Sequence, residues 1–141
     1  MSNSKILGID WGTKRVGIAV SDEEKKIAFP KETYRRSSDK DDLQYFKKII
    51  EEEDIEKIVI GVPINMDGSK GFQAENALEF KKMLDKELGV NITAVDERLT
   101  SSEAERVLIK GEENREDRKE KRDKLAASLI LQRYLNSIKS K

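Results

Sequence analysis

The chain has 141 residues, the length of one ordinary domain, and contains neither cysteine nor histidine. That excludes disulfides, thiol nucleophiles, the usual zinc ligand sets and Ser-His-Asp triads, so any chemistry falls to carboxylates, lysine, arginine, hydroxyls or an oxygen-held metal. Twenty-eight basic and 28 acidic residues cancel, so overall charge does not point at nucleic acid; no apolar run spans a membrane and no signal pattern is present, so a cytoplasmic protein without a membrane partner is expected.

Residues 5–9 are mostly apolar, as in a strand buried on both faces, and residues 5–11 and 15–21 predict a hairpin around Gly12-Thr13-Lys14. A third strand is expected over 27–34, at a sheet edge because Pro30 cannot donate to a ladder. Leu43, Phe46, Ile49 and Ile50 fall at helical spacing within 39–53. Residues 57–61 read as a short apolar strand, followed by a loop over 64–71. Residues 72–88 form an amphipathic pattern with Ala77, Phe80, Leu84 and Leu88 on one stripe and Gly89 past its end. A fifth strand is expected over 90–95.

Thr100-Ser101-Ser102-Glu103 is a capping box that opens a helix ending at Gly111. Residues 112–124 are almost entirely charged, and a last helix is expected over about 121–138. The order β-β-β-α-β-α-β-α-α predicts one α/β domain over 1–141. Its five-stranded mixed sheet, flanked by helices, joins an antiparallel half to parallel crossover units.

Three carboxylate positions invite chemistry. Asp10 closes the first strand, where it either takes backbone hydrogen bonds or faces a cation, since ionising it at the rim of a buried strand needs compensation. Asp96-Glu97-Arg98 follow the fifth strand, where α/β folds bind ligands, although a surface ion pair is the alternative. Strand alternation sends Asp96 and Glu97 to opposite faces, so one of them points at a site. Asp123 leads a stripe of Ala127, Ile130, Tyr134 and Ile138, and the small Ala126 and Ala127 let that helix approach a sheet closely. There it either complements the positive helix end, worth about 0.3–1 kcal/mol, or reaches over the sheet towards Asp10.

Such acids could hold two hard cations, magnesium or manganese, about 3.5–4 Å apart, on the attacking and leaving oxygens of a phosphodiester. The charged stretch at 110–124 is either a solvated loop or a mobile segment beside the active cleft that orders on nucleic acid. Arg115, Arg118, Lys119, Lys121 and Arg122 lie close together there, offset by neighbouring acids.

Four motifs occur in order over nearly the whole chain: Gly8-Ile9-Asp10 with Arg15-Val16-Gly17 and Ser21-Asp22; Gly61-Val62-Pro63 with Met66-Asp67-Gly68-Ser69; Asp96-Glu97-Arg98-Leu99-Thr100-Ser101 with Ala104; and Lys121, Asp123, Ala126-Ala127 and Ile130-Leu131. Together they resemble the YqgF family, also called RuvX, of Holliday junction resolvase-like proteins.

The resemblance implies an RNase H-like fold in a bacterial cytoplasmic nuclease that matures the 5′ end of pre-16S ribosomal RNA. Structured RNA is the implied partner, with branched DNA as an alternative substrate and non-catalytic RNA binding in ribosome assembly as a third possibility. A homodimer would suit junctions and a monomer RNA processing. By the same resemblance, Asp10, Glu97 and Asp123 fall on the catalytic, metal-binding acids. Arg15, Arg98 and the adjoining Lys14 are then basic residues suited to phosphate. Amides near Asp67-Gly68-Ser69 either meet phosphate or form a simple turn.

One departure matters. Related junction resolvases take their middle carboxylate from the fourth strand, whereas here that strand ends in Gly61-Val62-Pro63. Asp96-Glu97 belong to the fifth strand, two strand spacings or about 9.6 Å from the first. That is too far for direct sharing unless the chain bends or a side chain reaches across Gly61, which has no side chain to block that path. Asp10-x-Gly12-Thr13 also resembles the first phosphate motif of actin-like ATPases and sugar kinases, but those close two such domains around a nucleotide and this chain has room for one.

Overall fold

The computed structural model describes residues 4–63, 71–97 and 115–139. Strands β1 (Lys5–Asp10), β2 (Arg15–Ser21) and β3 (Ala28–Arg35) are followed by α1 (Asp39–Glu52), β4 (Ile55–Pro63), α2 (Phe72–Leu88), β5 (Asn91–Glu97) and α3 (Arg115–Lys139). They form one mixed sheet in the order β3-β2-β1-β4-β5, antiparallel through β3, β2 and β1 and parallel through β1, β4 and β5. β3 lies at the edge, and its ladder with β2 slips between Ile18 and Ala19, beside the partner of Pro30. The helix expected over 100–111 and most of the loop expected over 64–71 lie outside the described residues. No helix among the described residues is long and apolar enough to cross a membrane.

One face of the sheet carries α1 and α2. Leu7, Ile9, Val16, Ile18, Ile58 and Ile60 pack there against Phe46, Phe80 and Leu84, with the Phe46 and Phe80 rings edge to face at 5.9 Å. Ser38 caps α1 by accepting from the Asp41 amide, and Asp39, Asp41 and Asp42 crowd the positive end of the helix. Asp42 is fully buried. It is satisfied by the Tyr34 hydroxyl at 2.8 Å, Arg36 Nε at 3.2 Å and the Ser37 amide at 3.1 Å, which pins the chain leaving β3 to the start of α1. α2 occupies the expected residues and stops at Gly89, whose φ of 70° only glycine adopts easily.

The opposite face carries α3, which packs on β1, β2 and β3 through Ala127, Ile130, Leu131 and Leu135, meeting Ile6, Ala19 and Val59. The Gln132 side chain ties it to the chain entering β3, accepting from the Ala28 amide and donating to the Lys26 carbonyl, each at 2.9 Å.

Three elements differ from the sequence expectation by more than a residue at an end. β4 spans Ile55–Pro63 rather than 57–61, and β5 spans Asn91–Glu97 rather than 90–95, so Asp96 and Glu97 belong to the strand instead of following it. α3 begins at Arg115, not near 121, so the charged run is helical there rather than a loop. Lysine, arginine and glutamate are good helix formers, and Asp117 and Glu120 stand four residues before Lys121 and Lys124. The buried stripe of α3 turns through Leu131 and Leu135, leaving Ile138 37% exposed.

Candidate active site

Leu7, Ile9 and Trp11 point to the α1/α2 face, so the alternation of β1 turns Asp10 to the face covered by α3. Asp10 is half-buried. Its cross-strand partners are Gly17 on β2 and Gly61 on β4. Glycine at both positions leaves no side chain directly opposite Asp10 on either neighbouring strand.

The space over Gly17 belongs to α3. A Cβ at Gly17 would sit 1.9 Å from the Asp123 carbonyl oxygen, and one at Gly8 would sit 2.7 Å from Leu131 Cβ. The helix backbone therefore rests directly on the sheet at these two glycines, as the small Ala126 and Ala127 anticipate. This contact brings residue 123 against the strand position beside Asp10, so two of the three expected acids share one corner of one face.

Arg15, two residues before Gly17 on β2, faces the same way. Its Nε donates to Asp123 Oδ2 at 2.8 Å, in a pair only 18% and 14% exposed. Arg122 Nε lies 3.9 Å from the other oxygen, Oδ1. Arg35 on β3 is the cross-strand partner of Arg15, which places a second arginine at the same register on this face. Sequence reasoning missed Arg35, because the ladder slip opposite Pro30 hides which strand residues stand opposite Arg15.

Lys14 lies exposed in the β1–β2 turn, where its carbonyl accepts from the Arg36 amide at 2.9 Å. Its side chain is not gathered with Arg15 and Asp123 in any described contact.

The fifth strand supplies the remaining acids. Val95 packs with the α3-side cluster, so residue 97 falls by alternation on the face of Asp10 and residue 96 on the other. The register runs Asp10–Gly61–Val95 across three strands and sets residue 97 opposite Pro63, two residues further on. The backbone positions 10 and 97 are thus about 12 Å apart, from two strand spacings sideways and two residues along. The Glu97 side chain and Arg98 lie outside what is described. Among the described residues, no group of three or more acids is placed to hold a metal ion.

Residues 4–137 match the RuvX family, described as Holliday junction resolvase. A Halothermothrix orenii protein named "Putative pre-16S rRNA nuclease" is 43% identical over 132 residues, covering 94% of each chain. A Thermoanaerobacter pseudethanolicus protein of the same name is 45% identical over 138 residues, 97% of this chain and 99% of its own. The fold is similar to Thermus thermophilus RuvC in complex with a Holliday junction substrate. That match has a TM-score of 0.60 and 16% identity over 98% of this chain and 97% of the other. At that identity the RuvC likeness speaks for the RNase H-like architecture alone. Similarity to the nucleases at more than 40% identity, over almost every residue of both partners, speaks for descent, and the chain belongs to the RuvX family.

Proposed function

We propose that this protein is a divalent-metal-dependent nuclease that hydrolyses phosphodiester bonds of structured RNA in the 5′-end maturation of pre-16S ribosomal RNA. The observation that carries the reading is the corner formed by Asp10 and Asp123, one acid flanked by glycines and the other delivered onto one of those glycines by a helix. The names of the curated relatives support the RNA substrate.

The donor chemistry fits the metal. Carboxylate oxygens suit magnesium or manganese, and a chain without histidine or cysteine offers no softer ligand. Asp10, Asp123 and Glu97 would hold the ions, with Glu97 the middle ligand because residue 97 shares the face of Asp10 and residue 96 does not. Two such ions supply Lewis-acid charge to the attacking and leaving oxygens of an in-line displacement. In the reaction a water oxygen gives up a proton to solvent and bonds to phosphorus as the bond to the leaving ribose oxygen breaks, and that oxygen takes a proton from solvent. Arg15, Arg98 and Lys14 would contact flanking phosphates, with Arg35 added by its place beside Arg15.

The test is cleavage of a 5′-extended pre-16S fragment beside a four-way DNA junction, with manganese and with chelator. The RNA fragment should be cut only with metal, and Asp10→Asn, Glu97→Gln and Asp123→Asn should each lose orders of magnitude in rate while remaining folded. Cutting of the junction alone would move the substrate to branched DNA. RNA binding that survives Asp10→Asn, without any cleavage, would make the protein an assembly factor.

A further inference from the structure

In the structure the Asp123 carboxylate is already engaged, with Arg15 at Oδ2 and Arg122 nearer Oδ1. The Arg15 pair is short and largely shielded from water, conditions under which an ion pair is screened least. A cation taking the Oδ2 lone pair that accepts from Arg15 Nε–H must displace the guanidinium, because one lone pair cannot serve both.

Arg15 also stands directly across from Arg35, and like charges opposite each other on neighbouring strands repel. Asp123 offsets that repulsion while it holds Arg15. Once the carboxylate turns to a cation, Arg15 loses this counter-charge beside Arg35, and a phosphate group is a ligand that restores it.

We propose that Arg15 is a positioning residue that occupies Asp123 in the metal-free protein, competes with the divalent cation for that carboxylate, and on displacement turns with Arg35 to a substrate phosphate. The inference rests on the reading of Asp123 as a metal ligand. It adds an order of events in which the ion opens the phosphate site by displacing its arginine. Linkage then requires that phosphate-bearing ligands and the ion strengthen each other's binding.

The experiment is calorimetric titration of Mn2+ into the wild type, Arg15→Gln and Arg35→Gln. Competition predicts that Arg15→Gln binds Mn2+ about three- to tenfold more tightly than wild type, the span between exposed and shielded ion pairs. A merely structural role for Arg15 predicts the opposite sign, since a disturbed site binds less well. Arg35→Gln removes the same charge from the neighbouring strand and should tighten binding less. Equal tightening by the two variants would mean a diffuse charge effect and overturn the proposal, as would unchanged or weaker binding by Arg15→Gln.

Should Arg15→Gln fail to fold, the wild type still decides the matter. The Arg15 Nε–H resonance, assigned through Arg15→Lys, should shift as Mg2+ is added, and a resonance that stays in place overturns the exchange. A wild type that binds no Mn2+ at all defeats the metal-site reading itself, an outcome distinct from a metal site indifferent to Arg15.

Discussion

The two faces of the sheet are built on opposite rules. On the α1/α2 face, large side chains separate helix from strand, with Phe46, Phe80, Leu84 and a row of isoleucines filling the gap. On the α3 face, Gly8, Gly17 and Ala127 let the helix backbone touch the sheet, and the apolar cluster is smaller. The first arrangement buries area. The second sacrifices side-chain volume to fix where one residue, Asp123, meets the end of β1. Stability and site geometry are thus largely assigned to different sides of one sheet, and substitutions can be chosen to separate them.

The largest expected effect is on stability. Phe46 is fully buried between α1, α2 and the sheet, so Phe46→Ala should cost about 3–5 kcal/mol. Urea unfolding followed by Trp11, the single tryptophan and 6% exposed, measures it. The folded protein should keep its Mn2+ affinity, because Phe46 and Asp123 lie on opposite faces. Loss of metal binding by the folded variant would contradict the division of labour.

Gly17→Ala probes the other side. The new methyl would stand 1.9 Å from the Asp123 carbonyl, and a backbone atom cannot yield as a side-chain tip can. The cost should be about 1–3 kcal/mol, less than for Phe46→Ala, because α3 can lift. Lifting it carries Asp123 away from Asp10, so Mn2+ binding and cleavage should fall much further than stability. Gly8→Ala, against Leu131 Cβ at 2.7 Å, sharpens the contrast. It strains the same helix two residues further from Asp10, and should cost comparable stability with a smaller loss of activity.

These two glycines also mark how far the sequence can be read. Periodicity and turn chemistry carry the hairpin, the edge strand with Pro30 and the whole of α2, because each is specified by neighbours in the chain. Asp123 is legible for the same reason, its apolar stripe and two alanines being local. Long-range facts are not. Asp39, Asp41 and Asp42 look alike in sequence, and only the return of Tyr34 and Arg36 from β3 decides that Asp42 is the buried one. Arg35 is hidden by a slip in a ladder, and the helical start of α3 by a run of charges that reads as surface. The end of β5 is misjudged for a related reason, since Asp96 and Glu97 are polar and yet paired to β4. The site falls between these cases: each acid can be picked out alone, but the glycines that bring two of them together act only across strands.

The smallest effect comes from the α1/α2 side, at its rim. α1 ends in the acidic Glu52 and Glu53 with no basic residue in its last turn, an arrangement its dipole disfavours. Lys5 from β1 and Lys31 from β3 correct this by reaching Glu53 at 3.0 and 2.9 Å. Lys31 first and then Lys5 hold the Glu53 carboxyl below its ordinary value of 4.5, and Glu53 in turn holds Lys31 above its ordinary 10.5. A lowered carboxyl stabilises the fold above its unfolded value and loses that contribution as pH falls through the folded one; the raised lysine does so below about 10.5 and loses it as pH climbs past the folded value. Glu53→Gln should therefore cost about 1 kcal/mol or less at pH 7, and should flatten the loss of stability both below pH 4.5 and above 10.5. Glu56 and Asp22, also held below their ordinary values by Lys25 and by the Ile27 amide, preserve part of the acid limb in the variant. Urea midpoints across pH 3 to 11 measure the change. Wild-type slopes retained at both ends would show that the clamp on Glu53 contributes nothing, and that the rim, like the core beneath it, relies on burial alone.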